Sequence, residues 1–155
     1  MELPKRKPTR LANFDYSSNH YYFITICTHE KKCIFGKAKQ LNTFGEIAKK
    51  NIEKIHDVFS CVQVDQYVVM PNHIHMILTV SNLSEKKTSI STVLGQYKMS
   101  VTKEIRQLQP DLCVWQRSFH DHIIRNEKSY LKIWEYVKYN HQKWADDCYY
   151  INEDE

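Results

Sequence analysis

Four of the chain's eight histidines fall in two H-x-H pairs, His73 and His75 in YVVMPNHIHMILTV and His120 and His122 in SFHDHIIRN. Side chains two apart on a β-strand point to the same side, with Cα atoms about 6.6 Å apart. Two imidazoles so placed can converge on one metal ion. The same arrangement also occurs as structural or solvated histidine, so the pattern alone leaves the metal reading open. The His73 pair shares its side with Ile77 and Thr79, while Ile74, Met76, Leu78 and Val80 form an apolar opposite side. The His120 pair lies on a shorter, more charged segment and competes less well as a ligand set. His122 there reads as a structural hydrogen-bonding residue or a DNA contact. Towards the C-terminus, Tyr136 and Asn140 stand four apart along one border of the apolar stripe Tyr130, Ile133, Trp134 and Val137. Residues at i and i+4 neighbour each other on a helix surface, so a hydroxyl and an amide oxygen could face a metal held by an adjacent sheet. A core-edge tyrosine beside a helix-terminal asparagine is the structural alternative.

The elements that must position these groups follow from periodicity. Residues 20–29 (HYYFITICTH) are rich in aromatic and β-branched residues, as strands are. Thr43 and Glu46 have capping-box spacing, and apolar residues follow at helical intervals to about residue 57. CVQVDQYVVM (61–70) alternates as a strand, Pro71-Asn72 forms a turn, and 73–80 returns as its hairpin partner. An amphipathic helix covers 90–108, a short edge strand 119–125, and Asn126 caps a helix from Glu127 to about Asn140. The order strand, helix, strand, strand, helix, strand, helix predicts an α+β, ferredoxin-like two-layer sandwich. Its sheet is four-stranded and mainly antiparallel, with helices on one face and a separate C-terminal helix.

Composition narrows the classes. A chain of 155 residues, 42% hydrophobic, with formal charge +4, is expected to form a single domain over 1–155 with a sizeable core. LPKRKPTR makes residues 1–12 a basic flexible arm, and 151–155 form an acidic tail. Only three glycines occur, and neither a Walker nor a dinucleotide-binding glycine pattern is present. The five cysteines, Cys27, Cys33, Cys61, Cys113 and Cys148, are odd in number and form no C-x-x-C pair. Together with the absence of a signal peptide, this suggests reduced thiols and a cytoplasmic protein. No segment has the run of about eighteen apolar residues that a membrane span requires. A two-histidine phosphoesterase would carry two H-x-[ST] motifs, whereas these pairs read HIH and HDH.

Five segments, YYFITICTHEKKCIFG, YVVMPNHIHMIL, STVLGQYKMSVTKEI, WQRSFHDHIIRNEKSYL and WEYVKYNHQKWADDCYY, resemble in order the REP-associated tyrosine transposases. These belong to the wider HUH single-tyrosine transposases of insertion sequences. The resemblance spans about residues 10–150. It implies that His73 and His75 are the metal-binding pair, that Tyr136 is the nucleophile and that Asn140 supplies a third ligand. Family members usually read asparagine-proline where this chain has Asn140-His141. The implied activity is metal-dependent nicking and joining of single-stranded DNA beside a hairpin, through a 5′-phosphotyrosine intermediate. Two imidazoles with an oxygen ligand suit Mg²⁺ or Mn²⁺. Lys98, Lys103, Arg106, Arg125 and His122 are the expected DNA contacts, and the tyrosines and tryptophans offer surfaces for stacked bases. The alternative is a domesticated, non-cleaving DNA-binding protein on the same fold. Relatives include both monomers and dimers that exchange the tyrosine helix, so a homodimer is a further expectation. A cytoplasmic, nucleoid-associated setting follows from such a substrate.

Overall fold

The computed structural model describes residues 21–81 and 88–151. The basic arm, most of the polar loop after residue 80 and all but Ile151 of the acidic tail lie outside the described residues. In chain order the elements are β1 (Tyr21–Cys27), β2 (Gly36–Lys37), β3 (Gln40–Leu41), α1 (Thr43–Glu53), α2 (Ile55–Val58), β4 (Val62–Val69), β5 (His73–Val80), α3 (Ile90–Leu108), β6 (His120–Ile124) and α4 (Glu127–Lys138). A 3-10 segment, Asn140–Asp146, follows α4. The main sheet runs β4-β5-β1-β6, and every neighbouring pair is antiparallel. This is the ferredoxin-like strand order the pattern predicts.

The local expectations hold with instructive shifts. The first helix begins one residue earlier than the Thr43 capping box suggests, because Asn42 is the N-cap and accepts from the Gly45 amide at 2.9 Å. It also breaks at Lys54, so residues 43–58 form two helices rather than one. Ser89 and Asn126 cap α3 and α4 through their side-chain oxygens. The short β2–β3 hairpin has no counterpart in the sequence reading. Gly36 turns into it at φ +103, where a Cβ would lie 2.5 Å from the Asn42 amide nitrogen, so only glycine fits.

Both faces of the sheet are covered. On one, Ile74, Met76, Leu78 and Val80 of β5 pack with Tyr22, Ile24 and Ile26 of β1 under α1 and α3. On the other, Val68, Met70, Ile77 and Ile124 pack with Val137 of α4 and Trp144. The second, smaller cluster places the C-terminal helix over the histidine side. A polar anchor holds its start: Asp65 Oδ2 accepts from Thr79 Oγ1 and from Tyr130 Oη, each at 2.9 Å. Asp65 occupies the irregularity between Val64 and Gln66, where the β4–β5 register slips by one. Among the described residues no helix is long and apolar enough to cross a membrane, and all five cysteines are free thiols.

Candidate active site

The site grows from the β4–β5 turn. Met70 N–H donates to the His73 carbonyl and closes the hairpin. Asn72, fully buried, donates through Nδ2 to the carbonyls of Lys31 (3.1 Å) and Tyr149 (2.8 Å). Those two bonds fix the amide's orientation, so its Oδ1, 2.8 Å from His73 Nδ1, can only accept. His73 therefore carries a proton on Nδ1, which leaves Nε2 as its metal-competent nitrogen. His75 is held similarly, with Nδ1 2.9 Å from Thr25 Oγ1 on the neighbouring strand. Thr25 is opposite His75 in the β1–β5 register, so the contact follows directly from strand pairing. The two imidazoles are buried, with ring centroids 4.6 Å apart. Burial, and then the neighbouring His73, push His75 down to about 3, so it is neutral near pH 7.

A carboxylate completes the cluster. Asp147 follows the 3-10 segment; its Oδ1 accepts from the Tyr149 amide at 2.9 Å and its Oδ2 lies 3.3 Å from His73 Nε2. Burial alone would raise Asp147, but contact with His73, the Tyr149 amide and His75 outweigh it and leave the carboxyl below its ordinary value. One ligand atom from each of His73, His75 and Asp147 can be chosen so that all lie within 4.8 Å of one another. Four buried atoms here have no hydrogen-bond partner: His73 Nε2, His75 Nε2, Asp147 Oδ2 and Asn140 Oδ1. Buried polar atoms are rarely left so. All four can act as lone-pair donors, and two imidazoles with oxygens fit a divalent cation, with the remaining imidazole nitrogens engaged as metal-bound histidines require.

Tyr136 borders this cluster. Its ring centroid is 5.4 Å from that of His75 and 6.2 Å from that of Phe23, which itself stacks on His75 at 5.1 Å. Burial, followed by the charge of Asp147, raises the phenol, and the side chain of Asn140 opposes this by donating to it. Tyr136 is 43% exposed, so the site opens to solvent at this edge. The other tyrosines of α4 are differently placed. Tyr130 is tied to Asp65, with its phenol pushed up to about 12 by burial and that carboxylate. Tyr139 is exposed beside Lys138.

The expected DNA contacts divide. His122 is exposed and pairs with Phe23 in the β1–β6 register, which puts it on the histidine side of the sheet. His120 pairs with Thr25 on that side too, but belongs to no metal-competent group among the described residues. Arg125 is exposed at the start of α4. Lys98, Lys103 and Arg106 ride on α3, which packs in the core cluster on the opposite face. Lys98 Nζ donates to the carbonyls of Gln116 and Ser118, both at 3.0 Å, and Arg106 Nε donates to the Leu112 carbonyl at 3.2 Å. Both cations therefore also tie α3 to the loop that follows it; Arg106 and Lys103 are exposed on that helix and Lys98 is half-buried.

A family model described as "Transposase IS200 like" matches residues 16–140. The chain belongs to the IS200-like transposase family. An uncharacterised Haemophilus influenzae protein is 36% identical, covering 95% of this chain and 94% of its own. A second Haemophilus influenzae protein, whose assigned name places it among REP-associated tyrosine transposases, is 26% identical over 81% of this chain and 72% of its own length. Among solved structures, a REP-associated tyrosine transposase bound to a REP hairpin superposes with TM-score 0.60 at 20% identity, covering 92% of this chain and 74% of that one. That likeness is one of fold.

Within this IS200-like frame, the group that sequence reasoning missed is Asp147. It lies 72 positions from His75 and 11 from Tyr136, beyond the helix and after a non-helical turn at Lys143. No periodicity connects it to the histidines. The acidic pair in WADDCYY was the one available signal, and it reads equally well as a solvated tail. Asn140 opens the 3-10 segment, His141 follows it there, and Asn140 stays buried beside Tyr136.

Proposed function

We propose that this IS200-like protein is a REP-associated transposase that nicks and rejoins single-stranded DNA beside a hairpin. Tyr136 is the nucleophile, and His73, His75, Asp147 and Asn140 hold a divalent cation, Mg²⁺ or Mn²⁺. The observation that carries the reading is the set of four buried lone-pair atoms, two of which (His73 Nε2 and Asp147 Oδ2) meet only each other at 3.3 Å, beside a half-exposed phenol. A cation bound there would withdraw charge from a non-bridging phosphate oxygen and offset the charge of the transition state.

The chain's own groups do the rest. At rest Tyr136 is protonated, since burial raises an already weak acid. As Oη attacks phosphorus, the P–Oη bond forms and the P–O3′ bond breaks. The phenolic proton leaves towards water at the exposed edge, and the departing 3′-oxygen takes up a proton. Donation from Asn140 stabilises the oxygen while it carries charge. The product is a 5′-phosphotyrosine and a free 3′-hydroxyl, and attack by a 3′-hydroxyl on the phosphotyrosine reverses the step. The bond energy is conserved, so joining needs no nucleotide triphosphate. Tyrosine and histidines come from one chain, so the chemistry needs no exchange of α4 between subunits. The DNA hairpin is taken to lie towards Arg125 and His122 on the site face, with Lys103 a more distant contact.

The test is denaturing-gel detection of a protein–DNA adduct, using labelled hairpin oligonucleotides from the gene's own flanks with Mn²⁺ or Mg²⁺. The expected result is an adduct that Tyr136→Phe abolishes while DNA affinity changes less than about threefold, since one hydroxyl is lost and the stacking ring is kept. Binding without any adduct would make the protein a non-cleaving DNA binder instead.

A further inference from the structure

An open cleft of about 1150 Å³ runs beside the site, between the β2–β3 hairpin, α1, the edge strand β4 and the 3-10 segment. Two walls connect it to the catalytic groups. Val68 lines it and stands opposite His75 in the β4–β5 register; His141 lines it and directly follows Asn140. Its volume exceeds the roughly 300–1,000 Å³ of small-molecule sites, and its open side suits a continuous chain better than a free metabolite.

The lining has the chemistry of a nucleotide. Lys39 and Lys49 offer cations for phosphate, and Gln66 and Gln142 offer amides for base edges. Gln66 Oε1 accepts from the Tyr67 amide at 3.2 Å, which orients the group and leaves Nε2 to donate. The Tyr67 hydroxyl is held by Glu53 at 2.6 Å, so the ring along this wall is fixed before any ligand arrives. Fixed aromatic surfaces next to amides and cations are how unpaired bases are gripped.

We propose that this cleft binds an unpaired nucleobase of the DNA strand flanking the scissile phosphate, and so helps select the cut site. This rests on the nuclease reading above. The carboxylate of Glu46 within the same wall accepts but cannot donate, which favours a base with an exocyclic amino group.

The test is fluorescence anisotropy with hairpin oligonucleotides in which an abasic site is walked along the single-stranded flank. Tyr136→Phe protein is compared with Tyr136→Phe carrying Gln66→Ala and Gln142→Ala, after both are shown to melt at similar temperature. At one flanking position the abasic site weakens binding by the parent about tenfold, in the range of one lost base contact. The triple variant binds intact DNA weaker by a similar factor and is indifferent to that same abasic site, as coupled partners are. Losses that multiply, or a flank with no sensitive position, overturn the proposal. Adduct formation by the unaltered protein is scored separately: adduct with multiplying losses removes only the cleft, and coupled losses without adduct remove only the nuclease reading.

Discussion

Thr25→Val isolates the support of the metal site from its ligands. The substitution keeps the side chain's branched shape and removes the hydroxyl that lies 2.9 Å from His75 Nδ1. Ligation through Nε2 requires the His75 proton on Nδ1, donated to Thr25. Without the hydroxyl that N–H is buried without a partner, or the proton shifts to Nε2 and blocks the lone pair a cation needs. Loss of such an outer contact typically weakens metal binding about 10- to 100-fold. The consequence can be worked through linkage. Metal at a hundred times its Kd stabilises the wild type by about 2.7 kcal/mol. For a chain of this length each kcal/mol is about 2–4 °C in Tm, so Mn²⁺ should raise Tm by roughly 5–10 °C. At the same Mn²⁺ concentration the variant is only about 1–10 Kd above its own constant, and the gain falls to about 0.4–1.4 kcal/mol, or roughly 1–5 °C. The assay is thermal unfolding followed by circular dichroism, with and without Mn²⁺ after chelation. A variant with the full wild-type metal shift would refute the tautomer argument. A wild type with no metal shift would refute the site itself.

Other outcomes follow from the same geometry. Asp147→Asn keeps an oxygen but removes its charge, and should raise the Mn²⁺ Kd by about tenfold or more, read by the same melting titration, whereas Cys148→Ser should leave it unchanged. In metal-free protein, the depressed His75 takes up a proton in the unfolded state near 6.5 but in the folded state only near about 3. Its contribution is therefore complete above pH 6.5 and is lost as pH falls, by up to about 1.4 kcal/mol per pH unit. Denaturant melts at pH 7.5 and 5 should show that loss, and His75→Gln should flatten it. Lys98→Met strips the donor from the Gln116 and Ser118 carbonyls and should cost about 1–3 kcal/mol of stability without changing the salt slope of DNA binding. Arg125→Ala should lower that slope by about one instead.

Much of the architecture was legible because it repeats a short period. Residues 90–108 show their apolar face at helical spacing, and α3 occupies that range. The β5 strand sorts its side chains by alternation, and the histidine side and the apolar side separate as expected. The β2–β3 hairpin was illegible since two-residue strands are too short to display a period. The break at Lys54 was hidden because the apolar spacing continues through Ile55 on both sides of it.

For the site, the amino-acid sequence by itself determined the chemistry on offer: paired imidazoles on a strand, a phenol and amide one helical turn apart, and family membership through those motifs. Backbone geometry sets the i, i+2 pair on the strand, and it brings the phenol and amide near each other although α4 ends at Lys138 and Asn140 opens the 3-10 segment. Family membership came from resemblance, not from periodicity. Only the tertiary structure decided which groups meet. Asp147 reaches His73 because the chain folds back after α4 and Asn72 pins the Tyr149 carbonyl. Lys98 becomes half-buried because two carbonyls of a distant loop come within reach of its ammonium. Contacts of that kind depend on where separate elements dock, and docking is governed by the packing of whole faces, which no short stretch of the chain records.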